Sequence, residues 1–181
     1  MIQTGSPRNH DSTNKTSYGK GFVFSCFRGS SIVALALIAT ATACAPAPIT
    51  DKTPKAGAEM SRAVLDPYLK IQAALAADSM DGVTQSAGEV ATAATALGAP
   101  AMKIDTTAVQ LASAAEIEDA RDKFGMLSVA IDSYMTGLKL KAPEGVKVAF
   151  CPMVQKPWLQ TASAIDNPYY GKSMISCGSF R

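Results

Sequence analysis

The sequence predicts an all-α fold, an up-and-down bundle of about four helices followed by an irregular C-terminal tail that contains Cys and Met residues. Hydrophobic residues make up 48% of the chain but aromatic residues only 7%, and much of the apolar content is alanine. Alanine favours helix and buries little area. Apolar residues also recur at steps of three and four along most of the chain after residue 60, as on one face of a helix. Because the predicted loops are short, consecutive helices should be antiparallel neighbours.

The first two helices are predicted from their ends and their apolar faces. Asp66-Pro67 predicts a helix start, with Asp at the N-cap and Pro in the first turn. Alternatively, the helix begins near Gly57 and Asp66-Pro67 forms a kink. A second helix over residues 83–97 is ended by Gly98 and Pro100. The two predicted apolar faces comprise Val64, Leu65, Tyr68, Ile71, Leu75, Val83, Ala87, Val90, Ala94 and Leu97.

Two further helices are predicted before the tail. Asp105 can cap a short helix through Leu111, and Ser113–Glu116 fits a capping box at the start of the next helix. Pro143 and Gly145 stop that helix. Its apolar stripe is the most regular in the chain and predicts a side that faces the core: Ile117, Ala120, Phe124, Leu127, Ile131, Tyr134 and Leu138.

The tail over residues 147–181 lacks this periodicity. Val146, Val148 and Phe150 alternate like a short strand, and prolines and glycines interrupt the rest of the tail. We expect residues 167–171 to form a structural turn whose tyrosines pack on the bundle. A tail of this kind must be fixed by specific contacts or by a ligand.

The N-terminal region predicts export. An uncharged apolar run over residues 30–43 comes after Arg28 and has the length of a signal-peptide core. It ends at Ala41-Thr42-Ala43-Cys44, which resembles a bacterial lipobox, so Cys44 would be lipidated and become the first mature residue. Alternatively, cleavage near Ala43 would leave a soluble periplasmic protein. We therefore expect an n-region and signal peptide over residues 1–43, a Pro-rich tether over 44–57 and a helical domain over 58–181.

Composition excludes several classes of function. The whole chain carries a net charge of +2 and residues 1–44 carry +3, so the remainder carries −1 and offers no basic patch for nucleic acid. His10, the only histidine, precedes the signal core, which removes a histidine base and most zinc sites from the mature chain. No Gly-rich phosphate loop or nucleophile set is present in the sequence. We therefore predict that the chain is not an enzyme.

The remaining candidate functional groups are the Cys and Met side chains of the tail. Cys151 and Met153 share a face if extended, and Met174 and Cys177 share a face if they form a helical turn. Together they offer four soft ligands, which favour Cu(I) or Ag(I), and Trp158 could cover such a site by a cation–π contact. Alternatively, Cys151 and Cys177 form a disulfide, which an oxidising compartment favours. Closing a loop of about 26 residues would stabilise the fold by roughly 3.5 kcal/mol.

The tail also resembles DUF3347, a family of exported bacterial domains of unknown function. The resemblance rests on Cys151-Pro152-Met153, on Trp158 and on Asn167 to Gly178, and it continues upstream over roughly residues 60–180. Members occur alone or fused to the periplasmic adaptor subunits of heavy-metal efflux pumps of the copper/silver type. The resemblance implies a link to metal handling and a heavy-metal efflux adaptor or another envelope metal protein as partner. The competing interpretation is a structural or interaction module of the cell envelope.

Overall fold

The computed structural model describes residues 53–181, and the predicted signal core and lipobox lie outside them. The helices in this range are α1 (Arg62–Ala76), α2 (Val83–Leu97), α3 (Met102–Ala112) and α4 (Ile117–Gly137). The strands are β1 (Lys147–Cys151), β2 (Lys156–Gln160) and β3 (Ser179–Phe180). Short 3-10 turns cover Ala99–Ala101 and Gly171–Ser173. None of the helices described is both long enough and apolar enough to cross a membrane.

The four helices pack in chain order. α2 contacts both α1 and α3, and α3 contacts α4. β2 contacts α1 and α4, and Tyr68 of α1 stacks on Phe124 of α4 with ring centroids 5.0 Å apart. The prediction of a mainly helical chain is confirmed, with an additional small sheet.

The first helix begins earlier than Asp66-Pro67 predicts. Ser61 is its N-cap residue and Pro67 lies inside it, so the prediction of Asp66 as N-cap is wrong. Val64 and Leu65 are fully buried, and burying them stabilises the additional turn. The preceding segment is not helical, because the backbones of Gly57 and Met60 donate hydrogen bonds to Lys139 O and Lys141 O.

The other helix ends test the capping predictions. α2 has the predicted bounds, with Gly98 as its C-cap at φ +80°. α3 begins at Met102, so Asp105 lies in its first turn and is not its cap. The capping box at Ser113 is wrong, because the Ser113 hydroxyl donates to Gln110 O at 2.6 Å and thus closes α3. Glu116 is the N-cap of α4, and its side chain makes no cap hydrogen bond within the described residues.

The core contains most of the predicted stripes. Phe124, Leu127 and Ile131 of α4 are completely buried, as are Ile71 and Leu75 of α1. The stripe of α4 therefore faces the core as predicted, although its two ends, Ile117 and Leu138, are only partly buried.

The tail is more regular than predicted. It forms a three-stranded antiparallel sheet in the order β2-β1-β3, so the prediction of an irregular tail is wrong apart from its first strand. Phe150 of β1 lies opposite Pro157 of β2 on one side and Ser179 of β3 on the other. Pro157 fits because β2 is an edge strand, where a missing N–H removes no ladder hydrogen bond.

Candidate functional site

The sheet brings the two tail cysteines together. Cys151 is the last residue of β1, and Cys177 lies two residues before β3, which pairs with β1. The two thiols are free, and they lie close enough for Cys151 to influence the ionisation of Cys177. Cys151 is fully buried and Cys177 is partly buried. The pair is therefore accessible mainly from the side of Cys177.

Burial and proximity control the ionisation of this pair. Desolvation raises the pKa of the Cys177 thiol, and the neighbouring Cys151 raises it further by charge repulsion. Cys177 is therefore a protonated thiol at neutral pH. It lacks the depressed pKa of an activated cysteine nucleophile.

Asn167 connects the two cysteine segments. Its Nδ2 lies 3.4 Å from Cys151 Sγ and 2.6 Å from Cys177 O, and it donates to both. Its Oδ1 accepts a hydrogen bond from Tyr169 N at 2.8 Å. The Asn167 backbone N–H also donates to Ile175 O at 2.8 Å. One buried amide thus fixes β1, the turn at residue 169 and the segment before β3.

Trp158 lies beside the pair and is fully buried. A Cβ added to Gly178 would meet the Trp158 ring at 2.6 Å, so the indole edge packs directly on the residue after Cys177. Trp158 Nε1 donates to Gln160 Oε1 at 2.8 Å, and its ring meets Tyr169 edge-on with centroids 5.8 Å apart. Trp158 therefore lies against the residue that follows Cys177, and its role as a cation–π cover of a metal stays a prediction.

The two methionines occupy more open positions than the cysteines. Met153 lies in the turn between β1 and β2 with 62% of its surface exposed. Met174 comes directly after the 3-10 turn at Gly171–Ser173, is 37% exposed, and accepts a backbone hydrogen bond from Cys177 N at 3.0 Å. In residues 53–181 no three His, Cys, Asp or Glu side chains are grouped to hold a metal. Any soft-metal site there depends on thioethers or on two-coordinate binding.

Two tyrosine hydroxyls form hydrogen bonds with backbone groups on the outer edge of β2. Leu159 N donates to Tyr68 Oη at 3.2 Å, and Tyr169 Oη donates to Pro157 O. Tyr68 Oη is also 2.7 Å from Ser128 Oγ of α4. Burial raises the pKa of both tyrosines, so both remain neutral donors and acceptors. The packing of Tyr169 on the bundle, next to Phe124, is as predicted.

A second set of contacts joins the tail to the helices. Arg121 of α4 forms an ion pair with Asp78 and donates to Leu75 O at 3.1 Å and to Pro168 O at 3.2 Å. Asp78 Oδ2 accepts from Lys172 N at 3.2 Å. These partners hold the pKa of Asp78 below its usual value, the hydrogen bond from Arg121 being the largest cause.

Sequence reasoning found the cysteines and Trp158 but assigned no hydrogen bond to three polar residues of this region, of which Asn167 alone contacts the cysteines. Asn167, Gln160 and Tyr68 are all buried. In the sequence, Tyr68 stands out only as part of an apolar face and Asn167 only within the tail motif, and neither pattern identifies a hydrogen-bond partner.

Comparisons with models of protein families, with curated proteins and with solved structures found no match. The resemblance of the tail to DUF3347 therefore stays a prediction.

Proposed function

We propose that the chain is an exported lipoprotein, anchored through Cys44, that binds a soft metal ion, Cu(I) or Ag(I), through Cys151 and Cys177. The proximity of Cys151 and Cys177, whose segments are joined by the Asn167 side chain, carries the proposal, because metal binding needs converging donors. The proposed location is the periplasmic side of the cell envelope, at the outer membrane where the host has one. The proposed role is to buffer the ion or to pass it to an efflux adaptor or another envelope metal protein.

The chemistry of the donors fits a soft cation. Two thiolates favour Cu(I) over harder ions, and metal binding would displace the proton of the Cys177 thiol. Met174 lies three residues before Cys177, accepts a backbone hydrogen bond from Cys177 N and is the less exposed of the two methionines, so it is the better candidate for a third donor. Met153, with 62% of its surface exposed, would have to turn inward to contribute. The proposal assigns no catalytic role to the site.

A competition experiment tests metal binding. The reduced full chain in detergent is titrated with Cu(I) against a chromogenic chelator, alongside Cys177→Ser, Met174→Leu and Met153→Leu. Cys177→Ser should abolish tight binding, whereas each Met→Leu change should weaken it and barely change stability. Equal affinity in the four proteins would exclude the metal site.

The second candidate is a structural or interaction module of the envelope, an up-and-down bundle whose tail is fixed by a Cys151–Cys177 disulfide. The full burial of Cys151 favours it, since a buried sulfur is poorly placed to exchange an ion. Mass spectrometry of the purified chain, reduced and oxidised, with and without Cu(I), distinguishes the two. A mass lower by two hydrogen atoms in the oxidised sample and no copper adduct in the reduced one would favour the disulfide.

A further inference from the structure

The side chain of Asn167 is fully buried and has a partner for each of its polar groups. Its orientation is determined by its neighbours. Oδ1 faces the N–H of Tyr169, and Nδ2 faces the carbonyl of Cys177. The flipped amide would place a donor against a donor and an acceptor against an acceptor. Nδ2 is therefore the group at Cys151 Sγ, 3.4 Å away.

We propose that Asn167 is a positioning residue for the thiol pair, and that its N–H bond to Cys151 Sγ favours the reduced, metal-binding form over the disulfide. This inference deepens the proposed function and rests on it. A thiol or disulfide sulfur is a weak acceptor, whereas a hydrogen bond to an ionised group is about twice as strong. The amide therefore stabilises Cys151 most when that sulfur carries the charge of a metal-bound thiolate.

The same amide opposes oxidation. Oxidised glutathione would convert the two thiols into a Cys151–Cys177 disulfide, and its own S–S bond would be reduced to two glutathione thiols that take up the two protons. The oxidation joins Cys151 Sγ to Cys177 Sγ by a bond of about 2.05 Å, so the Cys151 sulfur has to leave the position at which Asn167 Nδ2 donates to it, and the new geometry must also accommodate the bond from Nδ2 to Cys177 O. Losing the amide donor should shift this equilibrium toward the disulfide.

Asn167→Asp tests the donor, and Gln160→Glu is the matched control. The Asp side chain keeps an oxygen for Tyr169 N but cannot donate to sulfur when ionised. Gln160 is equally buried, and its amide donates to Ala162 O at 3.1 Å and Ala164 O at 2.5 Å. Both changes exchange a buried amide for a carboxyl group, but only Asn167 donates to a cysteine.

Two readouts are measured on the reduced full chain in detergent: Cu(I) affinity and the equilibrium with glutathione. Asn167→Asp should lower the affinity by about tenfold and shift the equilibrium toward the disulfide by about tenfold. Gln160→Glu should change each by about twofold or less. Equal effects of the two substitutions, or no effect of Asn167→Asp, would overturn the proposal.

The outcomes separate this inference from the proposed function. If wild type binds Cu(I) no more tightly than Cys177→Ser, the metal function fails and the glutathione equilibrium alone decides the role of Asn167. If circular dichroism shows that Asn167→Asp does not fold, Asn167→Ser replaces it, because the neutral, shorter side chain cannot reach the sulfur. That variant should shift the equilibrium in the same direction, and an unchanged equilibrium would refute the role of Asn167.

Discussion

Buried polar residues fix the conformation of the tail, and one of them, Tyr68, joins the tail to a helix. Asn167, Gln160 and Tyr68 each form hydrogen bonds with backbone atoms of the tail, and all are buried. Leaving a buried polar group unpaired lowers the stability of the fold by more than a hydrogen bond raises it. Few substitutions should therefore be tolerated at these three positions. The tail is therefore more sensitive to the loss of these polar groups than its loop content suggests.

Removing the Tyr68 hydroxyl should lower the stability of the fold. Tyr68→Phe leaves Leu159 N and Ser128 Oγ without the partner they have in the native protein. We expect a loss of about 1–3 kcal/mol in the free energy of unfolding, measured by urea denaturation.

Tyr134→Phe is the matched control for this prediction. Tyr134 Oη is buried and has no hydrogen-bond partner within residues 53–181, so its removal should be neutral or slightly stabilising. Equal losses in the two variants would show that ring packing, and not the hydroxyl network, determines the cost.

Asp78 should make stability depend on acid pH. Its pKa is lowered in the folded protein, so the ionised carboxylate stabilises the fold above the unfolded pKa, and this stabilisation is lost as the pH falls through the folded pKa. Asp78→Asn, which keeps the preference for the observed φ of +58°, should be less stable than wild type at pH 7. The difference should shrink below about pH 4. Urea unfolding at both pH values measures it, and a difference independent of pH would contradict the ion pair.

Sequence reasoning can find the sulfur chemistry at the residue scale but not its environment. Cys151 and Cys177 are identified by residue type alone, and their export context predicts their pairing. Asn167 contacts Cys151 from 16 residues away, and Tyr68 reaches Leu159 across 91 residues. Such partners are set by tertiary packing, which local spacing does not encode.

At the scale of elements, apolar periodicity is a better guide than capping residues. The stripe of α4 is buried as predicted because burial of a large apolar side chain contributes about 1.5–3 kcal/mol. A capping side chain contributes only about 1 kcal/mol to stability, so apolar burial outweighs it where the two conflict. Ser113 accordingly closes α3 instead of starting α4, and α1 begins before Asp66 to bury Val64.

Truncating the centre of the α4 stripe should therefore be severely destabilising. Leu127 is completely buried, so Leu127→Ala should cost about 2–5 kcal/mol in the free energy of unfolding. Lys139→Ala is the control, because Lys139 is exposed just beyond the end of α4. A loss below about 1 kcal/mol for Leu127→Ala in urea denaturation would contradict its place in the core.

The sheet shows why the tail could be predicted only in part. β1 is recognisable from the alternation of Val146, Val148 and Phe150, whereas β2 contains Pro157 and β3 has two residues. β2 exists because β1, α1 and α4 surround it, and Tyr68 and Tyr169 satisfy its outer edge. Its formation thus depends on the whole domain.

At the scale of the whole molecule, the beginning of the described chain is fixed to the end of the helical region. Gly57 N and Met60 N donate to Lys139 O and Lys141 O, each at 2.9 Å. In the sequence, Cys44 comes 13 residues before Gly57, so the lipid proposed above would attach close to this fixed end of the domain.

Cys44→Ser tests this anchoring. Lipid attachment needs the Cys44 thiol, so the variant should remain unprocessed or be released as a soluble protein, while wild type fractionates with the membrane. With Ala45 after the cysteine, we expect wild type in the outer membrane of a host with two membranes. Cys177→Ser is the control, because it removes a tail thiol and leaves Cys44 intact. A processed Cys44→Ser chain that still fractionates with the membrane would contradict the lipid anchor, and a soluble wild type would favour ordinary cleavage near Ala43.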